Sequence, residues 1–379
     1  NFSQYDASTN LNIGKLTPRN WGLQLPLFVG YSESVSNPQY NPYDLDVQYA
    51  DQLKAAQDKD QRDSLKEIAQ DFTSISSVNL TNVRVLGNPD KPQTNLQPWS
   101  VQNFDLSYAY NKQHKRNPLL ESDDLTSQRL GLGYAYNIRS KPIEPFKTVI
   151  KSRSKWLSPI KDFNLNLLPS NFTFRTELNR ILNETQVRNI DGSPYEIPTT
   201  YYKDFTWMRS YVLRWELTRS LSFDYNATNQ SRIDEPYGLL DTREKRDTLW
   251  DRLGSFGRNT MFTQGFNASY TVPLQKLPAT DWTNLRFTYG ATYTWTGASR
   301  LAYDLGNTIG NTQTKQVNGE LNFVQLYNKQ RWLRAVNQPK AVNLKNKPPE
   351  AKPRSARARF NKDLIIINED TLNVKDFTD

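Results

Sequence analysis

The chain has no cysteine, one histidine and two methionines among 379 residues. Without cysteine there can be no disulfide framework or thiolate metal site, and the redox compartment is left open, compatible with a periplasm or cell surface. A Ser-His-acid hydrolase would need His114 as its base. In Lys-Gln-His-Lys-Arg-Asn-Pro that residue sits among cations on what reads as a solvated loop, which argues against catalysis. One histidine also argues against a zinc site. No apolar run approaches the ~20 residues of a helical span, so a helical membrane protein is excluded. The chain begins at Asn1 and shows no charged segment leading into an apolar core. It is therefore expected to be a mature product or a piece of something longer.

What the chain does have is alternation. Over 282–296 the odd positions from Leu285 are Leu285, Phe287, Tyr289, Ala291, Tyr293 and Trp295. The even ones are Arg286, Thr288, Gly290, Thr292, Thr294 and Thr296. Strand side chains alternate faces, so one face is apolar or aromatic and the other small or polar. At ~3.3 Å per residue and a tilt near 40°, ten such residues cover roughly 25 Å of height, about the apolar band of an outer-membrane barrel. Similar runs occupy 21–31, 103–111, 129–138, 210–218 and 262–272, with weaker ones near 5–14, 73–86, 163–180, 221–228 and 315–324. The spacing predicts an all-β fold: about twelve spanning antiparallel strands forming the wall of a larger transmembrane barrel.

A mean hydropathy of -0.76 with 36% hydrophobic residues suggests a polar soluble protein. A barrel escapes that inference because only every second residue meets lipid. The 20 Tyr and 9 Trp suit interfacial girdles. Net charge is +9, which can indicate nucleic-acid binding. Here the aromatics follow strand register while excess charge gathers in connectors and tail, so no nucleic-acid partner is assigned.

Connector lengths predict orientation. Leu16–Asn20, 218–220 and Pro273–Asp281 are short, whereas 33–72, 111–127, 181–200, 229–260 and 297–314 are long and polar. Barrels keep short turns in the periplasm and long loops outside. The first strand then descends and the last leads into a periplasmic tail. Residues 46–71 place Leu53, Ala56, Leu65, Ile68 and Ala69 at helical spacing, which predicts an exposed amphipathic helix on a loop. Around Pro169 the apolar parity flips, predicting a bulge or strand break. The connector 140–162 carries Lys141, Lys147, Lys151, Arg153 and Lys155 and could dock something. The barrel segment is assigned to 1–330 and a basic linker or tail to 331–379, where Leu364-Ile-Ile-Ile could add a strand or dock to a partner.

Chemistry is absent from the pattern. Asp123-Asp124 and Asp234-Glu235 are adjacent acidic pairs without metal-loop spacing, and they read as loop carboxylates. Gly131-Leu-Gly133 has no following helix to bind phosphate and is better explained as relief of crowding in the wall. No enzyme activity, metal or cofactor is expected.

Several stretches go beyond generic pattern. Asp6-Ala-Ser-Thr-Asn-Leu-Asn-Ile-Gly-Lys-Leu-Thr-Pro-Arg-Asn-Trp-Gly22 leads into Tyr31-Ser-Glu-Ser-Val-Ser-Asn-Pro-Gln-Tyr-Asn-Pro-Tyr-Asp44. Asn166-Leu-Leu-Pro-Ser-Asn-Phe-Thr-Phe174, Leu221-Ser-Phe-Asp-Tyr-Asn-Ala-Thr-Asn229, Ile233-Asp-Glu-Pro-Tyr-Gly238 and Gln316-Val-Asn-Gly-Glu-Leu-Asn-Phe323 follow. As a set they resemble the SprA/Sov family, the outer-membrane translocon of the Bacteroidota type IX secretion system, also tied to gliding motility. Family members are far longer, so the likeness is to a C-terminal portion. It implies a giant barrel conducting folded cargo with a C-terminal signal, a PorV-type barrel beside a lateral opening, and a periplasmic plug.

Position by position, Arg286, Thr288, Thr292, Thr294, Arg129, Arg214 and Glu216 are assigned to the lumen. Phe287, Tyr289, Tyr293, Trp295, Tyr134, Leu213, Trp215, Phe266 and Tyr270 are assigned to lipid or a neighbouring wall. The rival readings are an independent outer-membrane channel for small solutes and a soluble β-rich adhesin.

Overall fold

The computed structural model describes residues 1–87, 97–137, 142–152, 154–190, 193–330, 332–334, 364–367 and 370–373. In chain order the first elements are β1 (Phe2–Asn12), β2 (Leu23–Gln24), β3 (Pro26–Ser36), β4 (Tyr40–Asn41), β5 (Asp44–Gln48), α1 (Tyr49–Ala55), α2 (Lys59–Ala69) and β6 (Asp71–Val85). Next come β7 (Phe104–Arg116), β8 (Leu120–Asn137), α3 (Ser158–Lys161), β9 (Asn171–Val187), β10 (Thr200–Trp215), β11 (Leu221–Arg232) and α4 (Arg243–Gly254). The last are β12 (Arg258–Val272), β13 (Thr283–Thr296), β14 (Thr308–Leu321), α5 (Phe323–Tyr327), β15 (Leu364–Ile367) and β16 (Asp370–Asn373). Asn1–Asn322 and Phe323–Asp379 form two compact units. In the second, β15 and β16 pair as a two-stranded antiparallel sheet.

The first unit is a twelve-stranded antiparallel meander in the order β1-β3-β6-β7-β8-β9-β10-β11-β12-β13-β14, with β2 pairing β6 off the path. Because β2 has only two residues, eleven strands are long enough to span. Each alternates direction with the next, so the first and last run the same way. Among the described residues β1 pairs only with β3 and β14 only with β13, leaving two free edges.

Two expectations about local structure change and a third, the break at Pro169, holds. Residues 111–127 are not a loop. Instead β7 and β8 run on into a hairpin whose link, Asn117–Leu119, is held by Asn117 Oδ1 accepting from the amides of Leu119 (2.9 Å) and Leu120 (2.8 Å). The alternation was illegible there because both faces become polar beyond the apolar band. Residues 46–71 form two helices broken at Ala56, and they are not fully exposed: Tyr49, Ala56 and Ala69 are buried. Pro169 coincides with a strand break, for β9 begins at Asn171 and Leu165 instead bridges Ile143. Of other expected features, Ile138, Lys141, Arg153 and the basic residues of 337–362 lie outside the described residues.

Little is buried. Among the described residues the buried apolar side chains are Tyr49, Ala56, Ala69, Phe205, Ala227 and Ile233. A soluble domain covers each apolar sheet face with a second layer. Among the described residues only part of the β11–β12 connector lies over the apolar face of this sheet, and most of that face stays uncovered.

Candidate functional site

Cross-strand partners in an antiparallel sheet point to the same face, so the register sorts the whole wall. One row runs Phe104, Tyr134, Phe174, Tyr211, Ala227, Gln264 and Tyr293 across seven strands. On that apolar face lie Phe287, Tyr289, Tyr293, Trp295, Tyr134, Leu213, Trp215, Phe266 and Tyr270. On the opposite face lie Arg286, Thr288, Thr292, Thr294, Arg129 and Arg214. Glu216 follows β10 and its carboxylate stands 3.6 Å from Arg214.

The row also gives the tilt. Phe104 is the lowest apolar residue of β7, at the end where the Thr218–Ser220 turn lies. On β13 the apolar run continues below Tyr293 down to Leu285. The lower margin therefore slips by roughly eight residues over about six interstrand steps, and at ~3.3 Å per residue and ~4.8 Å per step the strands lean about 40°. Barrel strands lean roughly 35–45°. At that margin Trp215 donates to Asn166 O (2.8 Å), Tyr134 to Pro98 O (2.8 Å) and Trp282 to Ala279 O (2.9 Å). Tyr134 and Trp215 thus set rings on the apolar face with polar tips on turn carbonyls.

The band fades at both edges. Where β13 shows Tyr293, Ala291 and Tyr289, β14 opposes them with Asn311, Gln313 and Lys315. Gln313 donates to the Tyr289 hydroxyl at 2.7 Å. At the other edge β1 presents Tyr5, Ala7 and Thr9 above a single aliphatic residue, Leu11. Such edges suit water or protein better than hydrocarbon.

The polar face carries exposed charges in loose pairs. Arg129 and Arg175 share Glu177 at 3.2 and 2.7 Å, and Arg214 stands 3.7 Å from Asp224. Exposed pairs of this kind contribute about 0–1 kcal/mol, so they coat the surface more than they stabilise it. Crowding on this face explains Gly133: a Cβ there would lie 2.1 Å from Asp105 Oδ1. Gly133→Val is expected to destabilise by about 1–3 kcal/mol, read from unfolding titrations, and Asp105→Ala should recover most of that loss.

The acidic pair Asp234-Glu235 lies on a loop as expected, just after β11, but Glu235 is buried there in an ionic cluster. Glu235, its side chain 2% exposed, accepts from Arg180 at 2.9 Å and lies 3.2 Å from Lys203. Asp234 pairs with Arg258 (3.1 Å) and Arg300 (2.9 Å). Burial opposes charging of Glu235, but the Arg180 hydrogen bond and the charges of Arg180 and Lys203 outweigh it and hold the carboxyl below its ordinary value. The cluster pins the start of the β11–β12 connector onto the apolar-face side of β9 and β10, with Ile233 N bonded to Phe205 O at 2.8 Å. His114 is likewise no loop residue. It lies on β7 with Nδ1 against Asp124, and Lys112 is 3.7 Å from the same carboxylate. Asp123, on the opposite face, accepts from Asn183 and Thr185. Only cross-strand register could reveal these partners.

The motility related/secretion protein family, SprA_N, matches residues 1–53. That stretch comprises β1, β2, β3, the β4–β5 hairpin and the start of α1. No curated protein matches the chain. The first hairpin of this two-faced sheet thus carries a likeness to motility and secretion proteins.

Proposed function

We propose that this chain is a wall segment of a giant outer-membrane β-barrel that conducts folded secreted proteins, the translocon of a type IX secretion system linked to gliding motility. The observation that carries this reading is the two-faced sheet: one aromatic band across the seven strands β7 to β13, leaning about 40°, backed by a charged and hydroxylated surface. The match to motility related/secretion proteins supports the secretion half. Polar, singly paired edges at β1 and β14 favour completion by further strands over closure of this sheet on itself. The role is non-enzymatic, and energy comes from elsewhere, since the sequence has no nucleotide-binding loop. Partners are membrane lipid, cargo with C-terminal signal domains, a PorV-type barrel at an edge and a periplasmic plug. The short-turn end faces the periplasm, with the connectors bearing α1, α2 and α4 outside.

A photocrosslinker at Thr292 in the intact secreting cell tests this. Secreted proteins in transit should be captured there and not from Phe266. If the chain alone forms a closed pore passing small solutes only, and no protein is captured, the solute-channel reading replaces this one.

A further inference from the structure

At the turn end, the β1–β3 connector folds against residues 84–87 and leaves a cleft of about 710 Å³. Among the described residues its lining includes Lys15, Arg19 and Arg84 and no carboxylate. Among the described residues Lys15 and Arg19 form no ion pair, and Arg84 donates only to Gln24 Oε1, at 3.0 Å. Asp105, the cross-strand partner of Arg84, leans away over Gly133. Three cations around one concavity without a counter-charge repel one another, an arrangement that an anion relieves.

The frame is rigid. Ile13 N bonds Leu25 O (3.0 Å), Thr17 Oγ1 bonds Gly14 O (2.7 Å), Trp21 N bonds Pro18 O (2.9 Å) and Leu86 N bonds Gly22 O (2.7 Å). Gly22, at φ +57, lets the strands cross so closely that a Cβ would lie 2.0 Å from Gly87 O. Beside the cleft Leu16 and Trp21 are 86% and 61% exposed. Cations next to exposed Leu and Trp are the pattern of an interfacial headgroup contact.

We propose that this cleft binds a phosphate group through Lys15, Arg19 and Arg84, with the flanking Leu16 and Trp21 favouring a phospholipid headgroup as its source. The inference stands on the turn itself, and its failure leaves the wall assignment intact. The full chain in neutral detergent is titrated calorimetrically with inorganic phosphate and, separately, with short-chain phosphatidylglycerol or phosphatidylcholine. Saturable binding of phosphatidylglycerol, weakened at least about tenfold by Lys15→Gln with Arg19→Gln and also by Arg84→Gln, supports a headgroup site. The same dependence with inorganic phosphate alone supports a site for the free anion. Lys315→Gln should leave either affinity unchanged, and Arg19→Lys should keep part of it. No saturable binding of either anion, or equal affinity in all variants, overturns the proposal.

Discussion

Replacing Phe266 with Arg is expected to cost about 2–4 kcal/mol of insertion free energy, whereas Thr288→Arg is tolerated. Phe266 lies in mid-band on an interior strand, between Tyr225 and Ala291 by register. Its ring stacks on Phe223 at 5.8 Å and meets Tyr289 at 6.4 Å. A guanidinium there must be desolvated or drag water into the band, and neighbouring strands offer it no carboxylate. Thr288 is on the other face, opposite Ser269 and Gln316, where arginines already stand in water. Tyr289→Arg should cost less than Phe266→Arg, because Lys315 already faces Tyr289 from the edge strand. Denaturant-dependent refolding into vesicles measures all three. Equal tolerance at 266 and 288 would mean that protein or water, not lipid, covers the apolar face.

The second large effect is expected at Glu235. Glu235→Gln keeps the shape but leaves Arg180 and Lys203 without a counter-charge in a site where they are 20% and 11% exposed. Breaking a buried pair in this way costs about 3–5 kcal/mol. The loss should be local: amide exchange should rise at Ile233 and through 233–257 while the strands of the band stay protected. Asp241→Asn, which breaks a pair whose carboxylate is exposed, should leave stability nearly unchanged. The same contact sets a pH dependence. Because the folded carboxyl titrates below its ordinary value of 4.5, the stabilisation is complete above that value and is lost as pH falls through the lower folded one. The connector should therefore loosen in acid and tighten again on neutralisation, and in Glu235→Gln this pH response should shrink.

These two sites show what the sequence could and could not reveal. At Leu285–Trp295 every second residue is apolar, so strand, faces and spanning length were all legible from period two. The ends of β7 and β8 are illegible because Asn111–Arg116 is polar on both faces and Leu120–Gln128 nearly so, with Leu120 and Leu125 too far apart to mark a face. Glu235 looked like a solvated carboxylate because its partners lie 55 and 32 positions away, and only the β9–β10–β11 register brings them together. The fading of the band at β14 was hidden for a related reason. Asn311, Gln313 and Lys315 matter only once they are seen opposite Tyr293, Ala291 and Tyr289.

The central claim is that the polar face lines water and the aromatic face meets lipid or a protein wall. These 379 residues hold no cysteine, so single cysteines along β13, in a background where any cysteine elsewhere in the longer protein is replaced by serine, report each position. They are introduced one at a time at residues 286–295 of the full-length protein in native membranes. Each is exposed to a membrane-impermeant maleimide. Positions 286, 288, 292 and 294 should label and 287, 289, 293 and 295 should not, a strict alternation along the strand. Uniform labelling, or alternation in the opposite phase, would contradict the conduit wall.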